Sequence, residues 1–159
     1  MPGTSSMTGN VARTVEGFFK TGQTDSYNIF ECGTHSRCGN SFAMGRWFGD
    51  YGTSSQGMTC HTWCGCYSNS VGKSSQSVSI GSGTWYHFAH VYDGTTHYLY
   101  FDGALFSSGT DSNSPLNTAA TGCVFGSKDS RFSFDGQVKS AKVYLGAMSA
   151  SEVAAAAAL

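Results

Sequence analysis

The run "TWYHFAHVYDGTTHYLYFDGALFSSG", residues 84–109, limits what this chain can fold into more than any other feature. Aromatic and β-branched residues dominate it, as in strands packed against a core. Asp-Gly interrupts it twice, at Asp93-Gly94 and Asp102-Gly103. That dipeptide accepts the left-handed backbone of a tight hairpin turn. The run therefore predicts consecutive antiparallel strands over 84–92 and 97–101, with a third over 104–109. Such a meander has one apolar face and needs a second layer to cover it.

The rest of the chain supplies that layer. "RTVEGFFKT" (13–21), "YNIFEC" (27–32) and "RCGNSFAMGRWF" (37–48) read as strands, and alternation returns in "SVSIGSG" (77–83). "CVFGS" (123–127) and residues 138–145 supply the last strands, with Val143 and Leu145 alternating with Lys142 and Tyr144 on one buried face. Ser149 stands three residues before Glu152, the spacing of a capping box, so a short C-terminal helix follows. The expected fold is all-β, an antiparallel two-sheet β-sandwich closed by that helix.

The 159 residues suffice for one domain, 1–159, with a core over about 7–153. Residues 1–6 and 154–159 are expected to be ends. Nine basic and ten acidic residues are spread without runs, which excludes the basic footprint of a nucleic-acid binder. No apolar stretch has the length of a membrane-spanning helix, so membrane insertion is not expected. The opening "MPGTSSMTGN" lacks the basic and apolar regions of a signal peptide. The closing "AAAAAL" reads as a scar, so the chain is expected to be a piece of a longer exported protein.

Six cysteines, Cys32, Cys38, Cys60, Cys64, Cys66 and Cys123, are many for this length. In "TCHTWCGCY" (59–67) three of them surround His61 and Trp63. Cys60 and Cys64 have the spacing of a zinc knuckle, but Cys66 adds nothing to it and a second pair must come from Cys32 or Cys38. Disulfides need fewer coincidences, and an even count leaves no odd thiol. Cys32 and Cys38 flank the turn "GTHSR" and are expected to bridge it.

The residues from 84 to 109, then "NTAATGCVFGS" and "FSFDGQVKSAKVYLGAMSASEV", resemble the second half of a laminin-G-like domain. That group shares the concanavalin A-like jelly roll with pentraxins and legume lectins. The resemblance, over about residues 7–153, implies that Trp85 and His87 open a central strand, with Trp85 buried and His87 structural. It implies turns at Asp93-Gly94 and Asp102-Gly103, and a closing motif at Leu145, Ser149 and Glu152. The chain departs from the pattern at Lys139, where the family often has an acidic residue. It departs again in "GSKDSRFSF", where Asp129 alone is acidic and the dual calcium site of pentraxins does not carry over.

Jelly-roll glycosidases carry alternating carboxylates on one strand, and retaining chemistry needs two about 5 to 5.5 Å apart. Here the nearest acidic residues are six positions apart. Asp93, Asp102 and Asp135 precede glycines and read as turn residues. A glycoside hydrolase with an unrecognised site is therefore the second alternative, and no catalytic residue is assigned. The first reading is a non-catalytic, extracellular or cell-surface carbohydrate-binding or adhesion module. Its rival is a structural protein–protein module of an extracellular assembly. The partner is accordingly a glycan or an extracellular protein. The ligand platform is expected between 47 and 67, from Trp47, Asp50, Tyr51, His61, Trp63 and Tyr67, because sugar sites pair aromatic faces with a few polar groups. The competing reading makes Trp47 and Trp63 plugs at the sandwich ends. No cofactor is required. Calcium wants six to eight oxygens, and Asp111, Asn113 and Asp129 are the candidates for a single weak site.

Overall fold

The computed structural model describes residues 7–46, 58–62, 78–110 and 115–158. Its strands are β1 (Arg13–Thr21), β2 (Tyr27–Gly33), β3 (Ser41–Arg46), β4 (Met58–His61), β5 (Tyr86–Tyr92), β6 (Thr96–Phe101), β7 (Ala104–Thr110), β8 (Cys123–Phe125) and β9 (Gly136–Tyr144), followed by helix α1 (Ala150–Ala157). One sheet has the order β7-β6-β5-β1-β9 and the other β4-β3-β2-β8. Every pairing between these strands is antiparallel. The expected two-sheet jelly-roll sandwich is the observed one.

Period-two alternation decides which side chains meet between the sheets. From β1, Val15 and Phe19 point inward, joined by Phe88 of β5 and Leu99 of β6. Phe30, Phe42, Met44 and Met58 come from the other sheet. Phe30 stacks on Phe88 across the gap, with ring centroids 6.0 Å apart. The core also holds polar side chains. Arg13 is fully buried and donates to the Met7 carbonyl at 2.6 Å and to Thr118 Oγ1 at 2.9 Å. His90 Nε2 and His97 Nδ1 share a hydrogen bond of 2.9 Å, and the His90 ring stacks on Phe42 at 4.0 Å.

On the outer face of the larger sheet, Ala89, Val91 and Tyr100 receive Val153 of α1. The helix begins at the expected capping box, with Ser149 and Glu152 each satisfying the other's backbone N–H. Its alanines have the highest helix propensity, so it continues through Ala157 and takes in residues expected to be an end.

Several expectations are corrected. The strand expected from residue 37 begins only at Ser41, and Met58–His61 forms a strand, β4, where none is expected. Residues 78–83 form no strand, although Val78 and Ile80 pack on the core. Leu145 lies past the end of β9 and is 65% exposed, while Val143 packs inward as expected. Trp85 precedes β5 and is only half-buried, because the side chains of its alternation class point to the outer face of the sheet.

The expected Cys32–Cys38 bridge is overturned by a Cys32–Cys123 disulfide. Cys32 faces the core near the end of β2, directly opposite Cys123 of β8, whereas Cys38 is exposed in the following turn. Cys38 and Cys60 are also disulfide-bonded, so none of the four described cysteines is free.

Candidate functional site

Because Phe30 and Cys32 point into the core, Glu31 between them faces out of the smaller sheet. The register carries that face sideways: Glu31 pairs with Ala43 of β3, and Ala43 with His61 of β4. Alanine leaves room between the two functional side chains. The turn after β2 then brings His35 into line, its ring edge-on to His61 with centroids 5.1 Å apart. His35 Nε2 lies 3.0 Å from Glu31 Oε1, and His35 Nδ1 lies 3.6 Å from Asp129 Oδ2.

The loop after β8 closes the other side. Glu31 Oε2 accepts from Ser127 Oγ at 2.9 Å and from the Lys128 backbone N–H at 3.1 Å. Lys128 Nζ donates to the carbonyls of Gly33 and Gly122, each at 2.9 Å, and so ties the two loops together. Asp129 caps the 3-10 turn Ser130–Phe132 and receives both the backbone N–H and the guanidinium of Arg131. A cleft of about 380 Å³ remains between these loops, lined by Glu31, Thr34, His35, Lys128, Asp129 and Ser130.

Both carboxylates are held in the charged form. The Arg131 hydrogen bonds, against a smaller opposing effect of burial, pull Asp129 down to about 2. Burial pushes Glu31 up, but His35, the Ser127 hydroxyl and the Lys128 N–H together outweigh it, so its pKa falls below the usual carboxylate value. Burial lowers Lys128, partly offset by Glu31.

Two of the sequence-expected site residues are linked through His35: Asp129 lines this cleft, and His61 lies buried beside it against the His35 ring. Trp47, Asp50, Tyr51, Trp63 and Tyr67, the calcium candidates Asp111 and Asn113, and the cysteines Cys64 and Cys66 lie outside the described residues. Sequence reasoning missed Glu31, His35, Lys128 and Arg131. The i,i+4 spacing of Glu31 and His35 was the available signal, but nothing local joins it to Asp129.

The residues around Asp129 do not fit calcium. Its carboxylate is engaged by the Arg131 guanidinium, and His35 stands between it and Glu31. A transition metal fares no better in the core. Among the described residues the one group with ligand atoms close enough is Cys60, His90 and His97, and the Cys60 sulfur is committed to a disulfide.

Comparison with known proteins follows the same lines. A family model for laminin-G-type domains, described as the concanavalin A-like lectin/glucanases superfamily, matches residues 2–154. No curated protein sequence matches this chain. Among solved structures, a heptameric SAP-like pentraxin from Limulus polyphemus superposes with a TM-score of 0.67 at 19% identity, covering 94% of this chain and 71% of that one. Domain 4 of AbnA, a GH43 extracellular arabinanase from Geobacillus stearothermophilus solved with arabinotriose, gives 0.61 at 19% identity, covering 96% and 69%. The CBM40 of the Ruminococcus gnavus IT-sialidase, bound to α2,3-sialyllactose, gives 0.66 at 12% identity, covering 98% and 88%.

Proposed function

Because the chain belongs to the laminin-G-type branch of the concanavalin A-like lectin/glucanases superfamily, we propose that it is a non-catalytic carbohydrate-binding module working outside the cell, with the Glu31–His35–Asp129 cleft as its glycan site. The observation that carries this reading is geometric: both carboxylates of the cleft are already engaged by fixed partners, Glu31 by His35, Ser127 and the Lys128 N–H, and Asp129 by Arg131. Glycoside hydrolysis needs one carboxylic acid whose pKa is raised so that it can protonate the leaving group. Partners already in place hold Glu31 and Asp129 below the ordinary carboxylate value, so at neutral pH neither is a proton donor; the buried Glu31 positions His35, and Asp129 is the carboxylate at the cleft surface.

The lining matches that role. The Asp129 carboxylate, the His35 imidazole and the Thr34 and Ser130 hydroxyls are the small set of oriented polar groups that sugar sites use, while Glu31 and Lys128 hold the two loops in place behind them. The Cys32–Cys123 disulfide supports an oxidising compartment. The AbnA domain and the CBM40 were each solved with an oligosaccharide, which makes arabinotriose and α2,3-sialyllactose natural first probes.

The test is a glycan array that includes both probes, followed by calorimetric titration of the best binder with and without chelator. Binding that survives chelation and falls about tenfold or more in Glu31→Gln or His35→Ala, about 1.4 kcal/mol, supports the site. Unchanged affinity in both folded variants rejects it. Release of new reducing ends from any bound oligosaccharide rejects the non-catalytic reading.

A further inference from the structure

On the outer face of the other sheet, three residues from three strand regions converge. Lys20 near the end of β1 places its ammonium 4.9 Å from the centre of the Trp85 ring, and Lys139 of β9 places its own at 4.5 Å. Lys139 also lies 5.4 Å from the Phe18 ring. The register explains the meeting: Phe18 pairs with Lys139 and with His87, so the next outward row brings Lys20 of β1 level with Gln137 of β9. Among the described residues neither Lys20 nor Lys139 has a carboxylate within ion-pair distance, whereas Lys142 on the same face pairs with Glu16 at 3.5 Å.

An aromatic ring holds an ammonium in place but does not neutralise it. Two lysines fixed on one indole therefore present a preorganised positive charge, and less side-chain freedom remains to be lost when an anion arrives. Lys20 also lines a cleft of about 790 Å³ with Gln23, Thr24, Asp25, Asp135 and Gln137. Those amides, hydroxyls and carboxylates suit a polyol. The two acids would repel a polyanion, so the cleft accepts neutral sugar while its lysine end accepts a single anionic group.

We propose that the Lys20–Trp85–Lys139 cluster is a second binding site, specific for a saccharide bearing a carboxylate, whose anion bridges the two ammonium groups while its hydroxyls enter the adjoining cleft. The inference rests on the reading of the protein as a carbohydrate-binding module but uses the opposite sheet from the Glu31 cleft.

The experiment is calorimetric titration of the folded protein with trigalacturonate, with a glucuronate trisaccharide and with α2,3-sialyllactose, which separate uronate from sialic acid as the source of the carboxylate. The methyl ester of trigalacturonate keeps the polyol and removes the charge, and sodium sulfate supplies charge without polyol. Expected is binding of at least one acidic saccharide, about tenfold or more weaker as the ester, lost in Lys139→Glu, weakened in Lys20→Gln and retained in Lys139→Arg. Both lysines are solvent-accessible, so these variants should keep the parent melting temperature, which is measured alongside. Equal affinity for acid and ester, unchanged binding in Lys139→Glu, sulfate binding as tight as the saccharide, or no binding of any acidic saccharide would each overturn the proposal. Glu31→Gln serves as the separating control. Loss there with intact Lys139→Glu removes this site and keeps the first, and the reverse result does the opposite.

Discussion

Cys32 and Cys123 stand directly opposite each other on β2 and β8, joined by a disulfide that closes a separation of 91 residues. It fastens the edge strand β8, and with it the loop that carries Lys128 and Asp129, to the strand that carries Glu31. Restricting so long a loop in the unfolded chain contributes about 4.5 kcal/mol by the chain-entropy estimate. Cys32→Ala/Cys123→Ala should lose several kcal/mol of that order in urea unfolding. A variant within about 1 kcal/mol of the parent would show that native-state contacts already hold β8.

His90 is completely buried beside His97 and Arg13, with Phe42 stacked on its ring. Burial first, then the charges of His97 and Arg13, hold its pKa well below the ordinary value. Its unfolded counterpart binds a proton first as pH falls, so the contribution is fully present above about pH 6.5 and is lost below it. Between pH 7.5 and 5.5 this amounts to about 1 kcal/mol. His90→Gln keeps a hydrogen-bonding group for His97 but cannot titrate. Its stability should fall less than the parent's over that interval. Parallel curves for the two proteins would refute the assignment.

Glu31 works in a lower window. Its folded pKa is depressed, so its stabilisation is present above about pH 4.3 and disappears as pH falls through the folded value. Glu31→Gln should therefore cost about 1 to 3 kcal/mol at pH 7. The parent and the variant should converge as both are acidified below pH 4 or so. Denaturant titrations at the two pH values give the difference, and a gap that persists in acid would contradict the paired-carboxylate account.

Gly45 of β3 lies where its register with β2 shifts, between Asn28 and Phe30. A Cβ there would collide with the Tyr27 carbonyl oxygen and crowd Asn28 Cα. Backbone atoms of a paired strand cannot swing aside as a side chain would. Gly45→Ala should cost about 3 kcal/mol or more, read from the thermal midpoint. A near-parent midpoint would mean that the shifted register can absorb a methyl group.

Ser149 and Glu152 form a reciprocal cap on α1, the helix whose Val153 covers Ala89, Val91 and Tyr100. Ser149→Ala should cost about 1 kcal/mol. Hydrogen exchange should show α1 fraying first, and equal protection along the helix in parent and variant would show that docking alone maintains it.

Local periodicity determined much of this protein. Arg13–Thr21 is the strand expected from its sequence to the residue, and the two Asp-Gly turns and the Ser149 cap sit where their chemistry places them. Each depends on neighbours a few positions away, through burial of one face, a left-handed backbone or an unsatisfied N–H. Alternation tells which face a residue takes but not which strand lies beside it, and so Trp85 and the partner of Cys32 were misread. Only the tertiary structure decided that β8 flanks β2 and β9 flanks β1. Those two adjacencies bring Asp129 to Glu31 through His35, and Lys139 to Lys20 over Trp85. Strand order is settled by closing long loops around a shared core, a global balance of burial against chain entropy that no short stretch of sequence contains.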